Sequence, residues 1–173
     1  KNNANGTFSN VTAETGLGQI NTYGLGVAAA DYDNDGDQDI YLTTLDRNIL
    51  LNNNEGYFVN VSKNAGLGNT LDWSSSAVFF DADNDGWLDL YVGNYAIWSP
   101  LSDLWCSLDS KTKVYCPPEM YTGLPSKFYH NNRDGTFSDY TKKAGFLPAP
   151  GKSLGAVLMD YNDDGWLDLA VAN

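Results

Sequence analysis

Residues 31–39 read DYDNDGDQD, residues 81–89 read DADNDGWLD and residues 160–168 read DYNDDGWLD. The three nonapeptides share one pattern, D-x-[DN]-x-D-G-x-x-D, and the sequence around them is periodic as well. Each begins fifteen residues after a Gly that precedes an apolar residue: Gly16-Leu17, Gly66-Leu67 and Gly145-Phe146. Each of those glycines follows by eight residues the Phe of an N-N-x-x-G-x-F stretch, at Phe8, Phe58 and Phe137. Landmarks shift by 50 residues from the first copy to the second and by 79 from the second to the third. The extra 29 residues fall between Asp89 and Asn131, so residues 95–123 read as an insertion into an otherwise regular unit. A fixed period of this length is the mark of a repeat architecture.

Within a unit the local pattern is β. Residues 25–30, 77–80 and 156–159 are short apolar runs entering the acidic loops, and 40–44, 90–92 and 169–172 leave them. Residues 48–51 and 127–130 give a third segment, 57–61 and 136–140 a fourth. All are rich in β-branched or aromatic types and are separated by Gly and Asn clusters, with no long stripe of helical period. Four short antiparallel strands in about 50 residues is the arithmetic of a β-propeller blade, with a β-solenoid as the competing all-β reading. Gly26, Ser76 and Gly155 occupy equivalent positions; small residues there suit a crowded innermost strand, as they would any tight sheet contact. The expected division is residues 1–22 as the end of one blade, 23–72 and 73–152 as blades, and 153–173 as the first half of another. On this expectation the chain holds an incomplete propeller.

Acidic residues number 22 against 10 basic ones, for a formal net charge of −12. Nucleic-acid binding calls for the opposite sign on the working face. No run approaches the roughly 18 apolar residues that a membrane-spanning helix needs, so no transmembrane segment is expected. The acids are not spread as a solvated surface; they are concentrated in the three repeated loops.

Those loops have the spacing of metal sites. Oxygen ligands at positions 1, 3, 5 and 9, with a main-chain carbonyl at position 7, wrap one hard cation, and the Gly at position 6 permits the sharp turn. Site one takes Asp31, Asp33, Asp35 and Asp39 with the Asp37 carbonyl. Site two takes Asp81, Asp83, Asp85 and Asp89 with the Trp87 carbonyl. Site three takes Asp160, Asn162, Asp164 and Asp168 with the Trp166 carbonyl. A large, flexible, mostly protein ligand set suits Ca2+ better than Mg2+, and no His or Cys lies in these loops to favour zinc. An EF-hand is excluded, because position 12 is Leu42, Val92 or Val171 where that motif places a bidentate Glu.

The succession of apolar strand, D-x-D-x-D-G-x-x-D loop, second strand and N-N-x-x-G-x-F turn resembles FG-GAP/VCBS repeats. The stretches DGWLDLYVGNY and NNRDGTFSDYTKKAG and the Cys-Pro-containing insertion are most similar to the cartilage acidic protein and ASPIC/UnbV type. The resemblance implies calcium-loaded propeller blades and an extracellular role in adhesion or scaffolding. Asn162 departs from the acidic pattern, which implies a weaker third site.

Cys106 and Cys116 both lie in the insertion; in an exported protein they form a disulfide, and in a reducing compartment they are two free thiols. The exposed loop they pin carries Trp98, Trp105, Tyr115 and Tyr121, either a contact surface or a flap packed on its own blade. His130 stands where Leu51 stands in the repeat, and no catalytic arrangement recurs around it. The expectation is therefore an extracellular, non-enzymatic calcium-binding scaffold whose protein or glycan partner is unspecified. The alternative is a structural subunit that assembles head to tail through strand pairing. Asn-x-Ser/Thr sequons occur at Asn5, Asn10 and Asn60.

Overall fold

The computed structural model describes residues 1–146 and 151–173. The blade expected over residues 73–152 includes residues 147–150, which lie outside the described ones. Among the described residues the regular elements are strands, apart from short 3₁₀ helices at Leu17–Gln19 and Pro118–Met120. Among the described residues no helix is long and apolar enough to cross a membrane.

The first four strands are β1 (Gly24–Ala30), β2 (Asp39–Asp46), β3 (Ile49–Asn54) and β4 (Tyr57–Asn60). They pair antiparallel in that order. The next four are β5 (Asp72–Phe80), β6 (Asp89–Asn94), β7 (Lys127–Asn131) and β8 (Phe137–Asp139), again antiparallel in order. A third hairpin joins β9 (Gly155–Met159) to β10 (Asp168–Ala172). These are the strands expected from the sequence, and with the repeats they make an all-β, incomplete propeller. One feature was not foreseen: Leu45 and Asp46 at the end of β2 pair with Trp73 and Asp72 at the start of β5, linking the two blades into one eight-stranded sheet.

Each acidic loop is the connection of a hairpin. The last pairs before the three loops are Ala30 with Asp39, Phe80 with Asp89, and Met159 with Asp168. The β3–β4 turn holds Glu55 and Gly56 at φ 52° and 94°, the two positive angles that a tight hairpin turn demands.

The blades pack face to face, and β6 records this most clearly: all six of its residues are buried. Leu90 and Val92 point into a cluster with Tyr32, Tyr41, Leu50, Leu67 and Phe137. Tyr91 points the other way, into a cluster with Phe80 and Phe128 that Ala156, Leu158, Leu169 and Val171 of the third hairpin cover. Successive side chains of a strand face opposite sides, so a strand clamped between two neighbours must be apolar on both. Each fully buried Leu or Val contributes about 1.5–3 kcal/mol.

The innermost strands come close enough to select small residues. A Cβ on Gly26 would lie 2.6 Å from the Ser75 carbonyl oxygen and 2.8 Å from Thr43 Oγ1. The same reasoning does not reach Gly155, where a Cβ would meet nothing within 4 Å.

Candidate metal centres

The three acidic loops fold alike because the same carboxylates tie down the same backbone N–H groups. Position 1 accepts from two successive amides: Asp31 from Asp35 N (3.1 Å) and Gly36 N (3.0 Å), Asp81 from Asp85 N (3.0 Å) and Gly86 N (2.8 Å). Asp160 does so from Asp164 N (3.1 Å) and Gly165 N (2.8 Å). Position 5 accepts from the amide of position 7, at 2.8 Å in Asp35 and Asp85 and 2.9 Å in Asp164. Position 9 accepts from the amide of position 2: Asp39 from Tyr32 N (3.2 Å), Asp89 from Ala82 N (3.4 Å), Asp168 from Tyr161 N (3.1 Å). Asn34, Asn84 and Asp163 at position 4 have φ of 57°, 54° and 59°, short polar residues that tolerate the left-handed region. Asp37, Trp87 and Trp166 occupy the matching position 7, whose carbonyl was assigned to the cation.

The loops differ in what surrounds this frame. In loop one, carboxylate oxygens of Asp31, Asp33 and Asp39 lie within 4.8 Å of one another. Asn52 donates through Nδ2 to Asp33 Oδ2 at 2.8 Å, and Asn53 N donates to Asp39 Oδ1 at 2.7 Å. Asp33 Oδ1 is buried and has no hydrogen-bond partner. Burial, then the charges of Asp35 and Asp31, push the Asp33 carboxyl above its ordinary range. Burial likewise raises Asp39, to about 6. Neighbouring carboxylates that lose water without gaining a cation behave in this way.

In loop two the close grouping is Asp83, Asp85 and His130. His130 Nδ1 lies 3.0 Å from Asp89 Oδ1 and 4.0 Å from Asp83 Oδ2. The Arg133 guanidinium donates to Asp85 Oδ2 through Nε at 3.0 Å and Nη2 at 2.5 Å. Desolvation pulls Asp85 upward, but the Arg133 hydrogen bonds outweigh it and hold the carboxyl below its usual range. Asn131 N donates to Asp89 Oδ1 at 2.9 Å, in the role that Asn53 N plays in loop one.

Loop three keeps the frame but not the surroundings. Its residues 161–167 are exposed, and among the described residues no close trio of acidic, His or Cys ligand atoms includes it. Asn162 turns its amide so that Oδ1 accepts from Asp164 N at 3.3 Å and Nδ2 donates to Asp164 Oδ2 at 2.9 Å.

Sequence reasoning missed the contribution of the N-N-x-x-G-x-F turns. Those of Asn52 and Asn131 fold back onto the acidic loops and supply their amide and side-chain donors. The signal was present, since the turn is as regular as the loop, but its meaning needs the fold. Neighbouring loops also touch: Asn34 Nδ2 donates to the Gly86 carbonyl at 3.1 Å, and Asn131 Nδ2 to the Tyr32 carbonyl at 2.8 Å.

The other expected pair is a bond: Cys106 and Cys116 form a disulfide, beside an isolated bridge from Cys106 to Val114.

Comparison with known families gives the same periodicity. The family model for the FG-GAP-like repeat matches residues 1–42, 45–92 and 119–171, leaving out most of the insertion. No curated protein matches the chain.

Proposed function

From the premise that this chain belongs to the FG-GAP-like repeat family, we propose that it is a calcium-dependent extracellular scaffold whose loops are rigidified by bound Ca2+. FG-GAP repeats are typically extracellular binding or adhesion modules. The supporting observation for calcium is Asp33 Oδ1, buried and unpartnered beside the carboxylates of Asp31 and Asp39. A hard cation there satisfies the orphaned oxygen and offsets the burial and mutual repulsion that raise Asp33 and Asp39. Site one uses Asp31, Asp33, Asp35 and Asp39 with the Asp37 carbonyl. Site two uses Asp81, Asp83, Asp85 and Asp89 with the Trp87 carbonyl, after Arg133 has swung aside. Site three uses Asp160, Asn162, Asp164 and Asp168 with the Trp166 carbonyl, Asn162 turning its oxygen inward. Carboxylate and carbonyl oxygens in flexible loops suit Ca2+.

The Cys106–Cys116 disulfide supports an oxidising compartment. Within the family, the cysteine-bearing insertion favours the cartilage acidic protein and ASPIC/UnbV type. The blade limits 23–72 and 73–152 are part of the same proposal. Its role is binding rather than catalysis.

Thermal unfolding with millimolar Ca2+, with Mg2+ and with chelator tests this reading. Each site filled at a hundredfold over its Kd stabilises the folded state by about 2.7 kcal/mol. A large calcium-specific rise in the midpoint is expected; equal midpoints in calcium and chelator overturn the proposal.

A second reading, head-to-tail association of copies of this chain, draws on two exposed rows. Leu25 and Val27 on β1 and Val157 and Met159 on β9 are open, Val27 and Val157 at 66% and 58% exposure. A chain that stays monomeric by light scattering at high concentration removes this reading and leaves the calcium reading intact.

A further inference from the structure

The acidic loops occupy one end of the hairpins; the other end of the second blade carries a different kind of site. Trp73 is the second residue of β5, and Tyr95 follows β6 directly. The Tyr95 amide donates to the Trp73 carbonyl at 2.7 Å, which fixes the two residues side by side. Their rings lie 4.9 Å apart at an interplanar angle of 57°. Trp98, three residues into the insertion, sets its ring 5.8 Å from that of Trp73 at 65°. Tilted rings of this kind form walls rather than a stack, and they border a cavity of about 240 Å³ together with Asp103, Tyr115 and Tyr121. At about 3.3 Å per residue, the six-residue β6 puts this cavity roughly 20 Å from the acidic loop.

Asp103 stands on the wall between this cavity and a second one of about 310 Å³. Trp98 Nε1 donates to its Oδ1 at 2.9 Å and the Tyr121 hydroxyl to the same oxygen at 3.2 Å. The Lys113 ammonium, which lines only the second cavity, donates to Oδ2. Lys113 first, then Trp98, hold the carboxyl down at about 2, so it is charged at neutral pH.

We infer that the cavity walled by Trp73, Tyr95, Trp98 and Tyr121 beside Asp103 binds a methylated or quaternary ammonium group, such as the head of choline or trimethyllysine. The faces of Trp and Tyr rings attract such a cation, and a nearby carboxylate and a chain of net charge −12 add to the field. A sugar is a poorer fit. Its hydroxyls need free donors and acceptors, whereas the Asp103 oxygens are already engaged by Trp98, Tyr121 and Lys113. A quaternary ammonium head makes no hydrogen bonds, so it loses nothing there. Lys113 shows that Asp103 accepts an ammonium partner, and from the neighbouring cavity it weakens the field that a ligand would feel. The disulfide at Cys116, next to Tyr115, braces this side of the insertion. The inference is independent of calcium, because its residues share nothing with the acidic loops.

The test is a titration of the full chain, calcium held constant, followed by the tryptophan indole N–H signals in NMR. The probes are tetramethylammonium, choline, its neutral isostere 3,3-dimethylbutan-1-ol, and a methyl pyranoside. Saturable binding of the two cations, with Kd on the order of 1 mM, is expected to perturb Trp98 and Trp73. Lys113→Gln, an exposed change that disturbs no packing, is expected to tighten choline binding about 3- to 10-fold. Tyr95→Leu is expected to weaken it about 10-fold or more. Neutral isostere or pyranoside binding as well as choline overturns the inference, as does an unchanged or weakened affinity in Lys113→Gln. Absence of saturation overturns it too. In each case the calcium-dependent midpoint still reports separately on the acidic loops.

Discussion

Loop one and loop two agree at six of nine positions, and burial raises the position-9 carboxyl in both, yet the groups set against positions 3 and 5 differ. Over loop one, the turn at residues 52–56 offers only neutral donors: the Asn52 amide, and the N–H groups of Asn53 and Glu55. Carboxylates there are raised by burial and by one another. Over loop two, the equivalent turn brings a cationic donor, the Arg133 guanidinium on Asp85, and β7 sets the His130 ring against Asp89. Asp85 is lowered where its counterpart in loop one carries no comparable partner. The loop supplies the ligand frame, and a turn far along the chain sets the charge it must balance. Loop one is therefore proposed as the tighter calcium site, and loop two as a site with a tethered competitor.

The largest effects come from removing the shared part of the frame. Asp39 and Asp89 are both almost fully buried, at 0% and 2% exposure, and each accepts two backbone amides. Asp39→Ala and Asp89→Ala each leave those amides unpaired, at a cost of about 3 kcal/mol. For a domain of this size that lowers the unfolding midpoint by about 10 °C, in chelator as well as in calcium. If either variant matches the parent in chelator, the common frame does not hold the loops as described.

The next effect is one of pH, and it belongs to loop one. In the metal-free protein Asp39 has its carboxyl raised from 3.8 to about 6. The folded chain then holds a proton, between those two values, that the unfolded chain has released. The associated stability is present in full below about pH 4 and is lost as pH rises through about 6. Chelated protein should thus gain on going from pH 7 to pH 5 relative to Asp39→Asn, while protons displace calcium from the loaded form. The gap between calcium and chelator midpoints should narrow over that interval. A gap that stays constant argues against Asp39 as a ligand.

Asp33 and Asp83 occupy the same position and should answer differently. Asp33→Asn removes a charge that sits beside Asp31 and Asp35 with one oxygen unpartnered. It should stabilise the chelated protein by about 1 kcal/mol and weaken calcium binding at site one, bringing that loop to the Asn-bearing pattern of site three. Asp83 is 55% exposed, and Asp83→Asn should leave the chelated midpoint within about 0.5 kcal/mol of the parent. Equal responses in chelator would erase the distinction drawn between the loops.

The fold was legible because each link in it is local. Short apolar runs, turns rich in Gly and Asn, and a repeated acidic hairpin specify most of β1–β10 without reference to distant residues. The frame within each loop was legible for the same reason, since every contact spans seven residues or fewer. What could not be read depends on packing between hairpins. The N-N-x-x-G-x-F stretch looks like a turn and nothing more until β3 is laid against β2, which brings Asn52 to Asp33 across 19 residues. Arg133 reaches Asp85 across 48, a span lengthened by an insertion of unguessable path. His130, read as a strand residue equivalent to Leu51, does lie on β7, but its ring nitrogen faces Asp89. The aromatic walls of Trp73 and Tyr95 were also hidden, because one residue is the second of a strand and the other follows its neighbour.

The smallest expected effect tests the comparison most directly. Arg133 is 55% exposed, so its pair with Asp85 is screened by solvent and contributes about 1 kcal/mol at most. Arg133→Gln should therefore leave the midpoint in chelator nearly unchanged. Yet calcium entering loop two must displace the guanidinium from Asp85 Oδ2, so the same change should raise calcium affinity at that site about 3- to 10-fold. A contrasting substitution over loop one, Glu55→Gln, removes an acidic side chain whose backbone amide alone touches the loop, at Asp37 Oδ2. It should lower affinity there by less than about 2-fold, through long-range charge only. Calorimetric titration of the two variants, with the other site disabled by Asp33→Ala or Asp83→Ala, separates them. If Arg133→Gln weakens calcium binding, then the guanidinium orders loop two for its ion and the contrast between the two loops must be reversed.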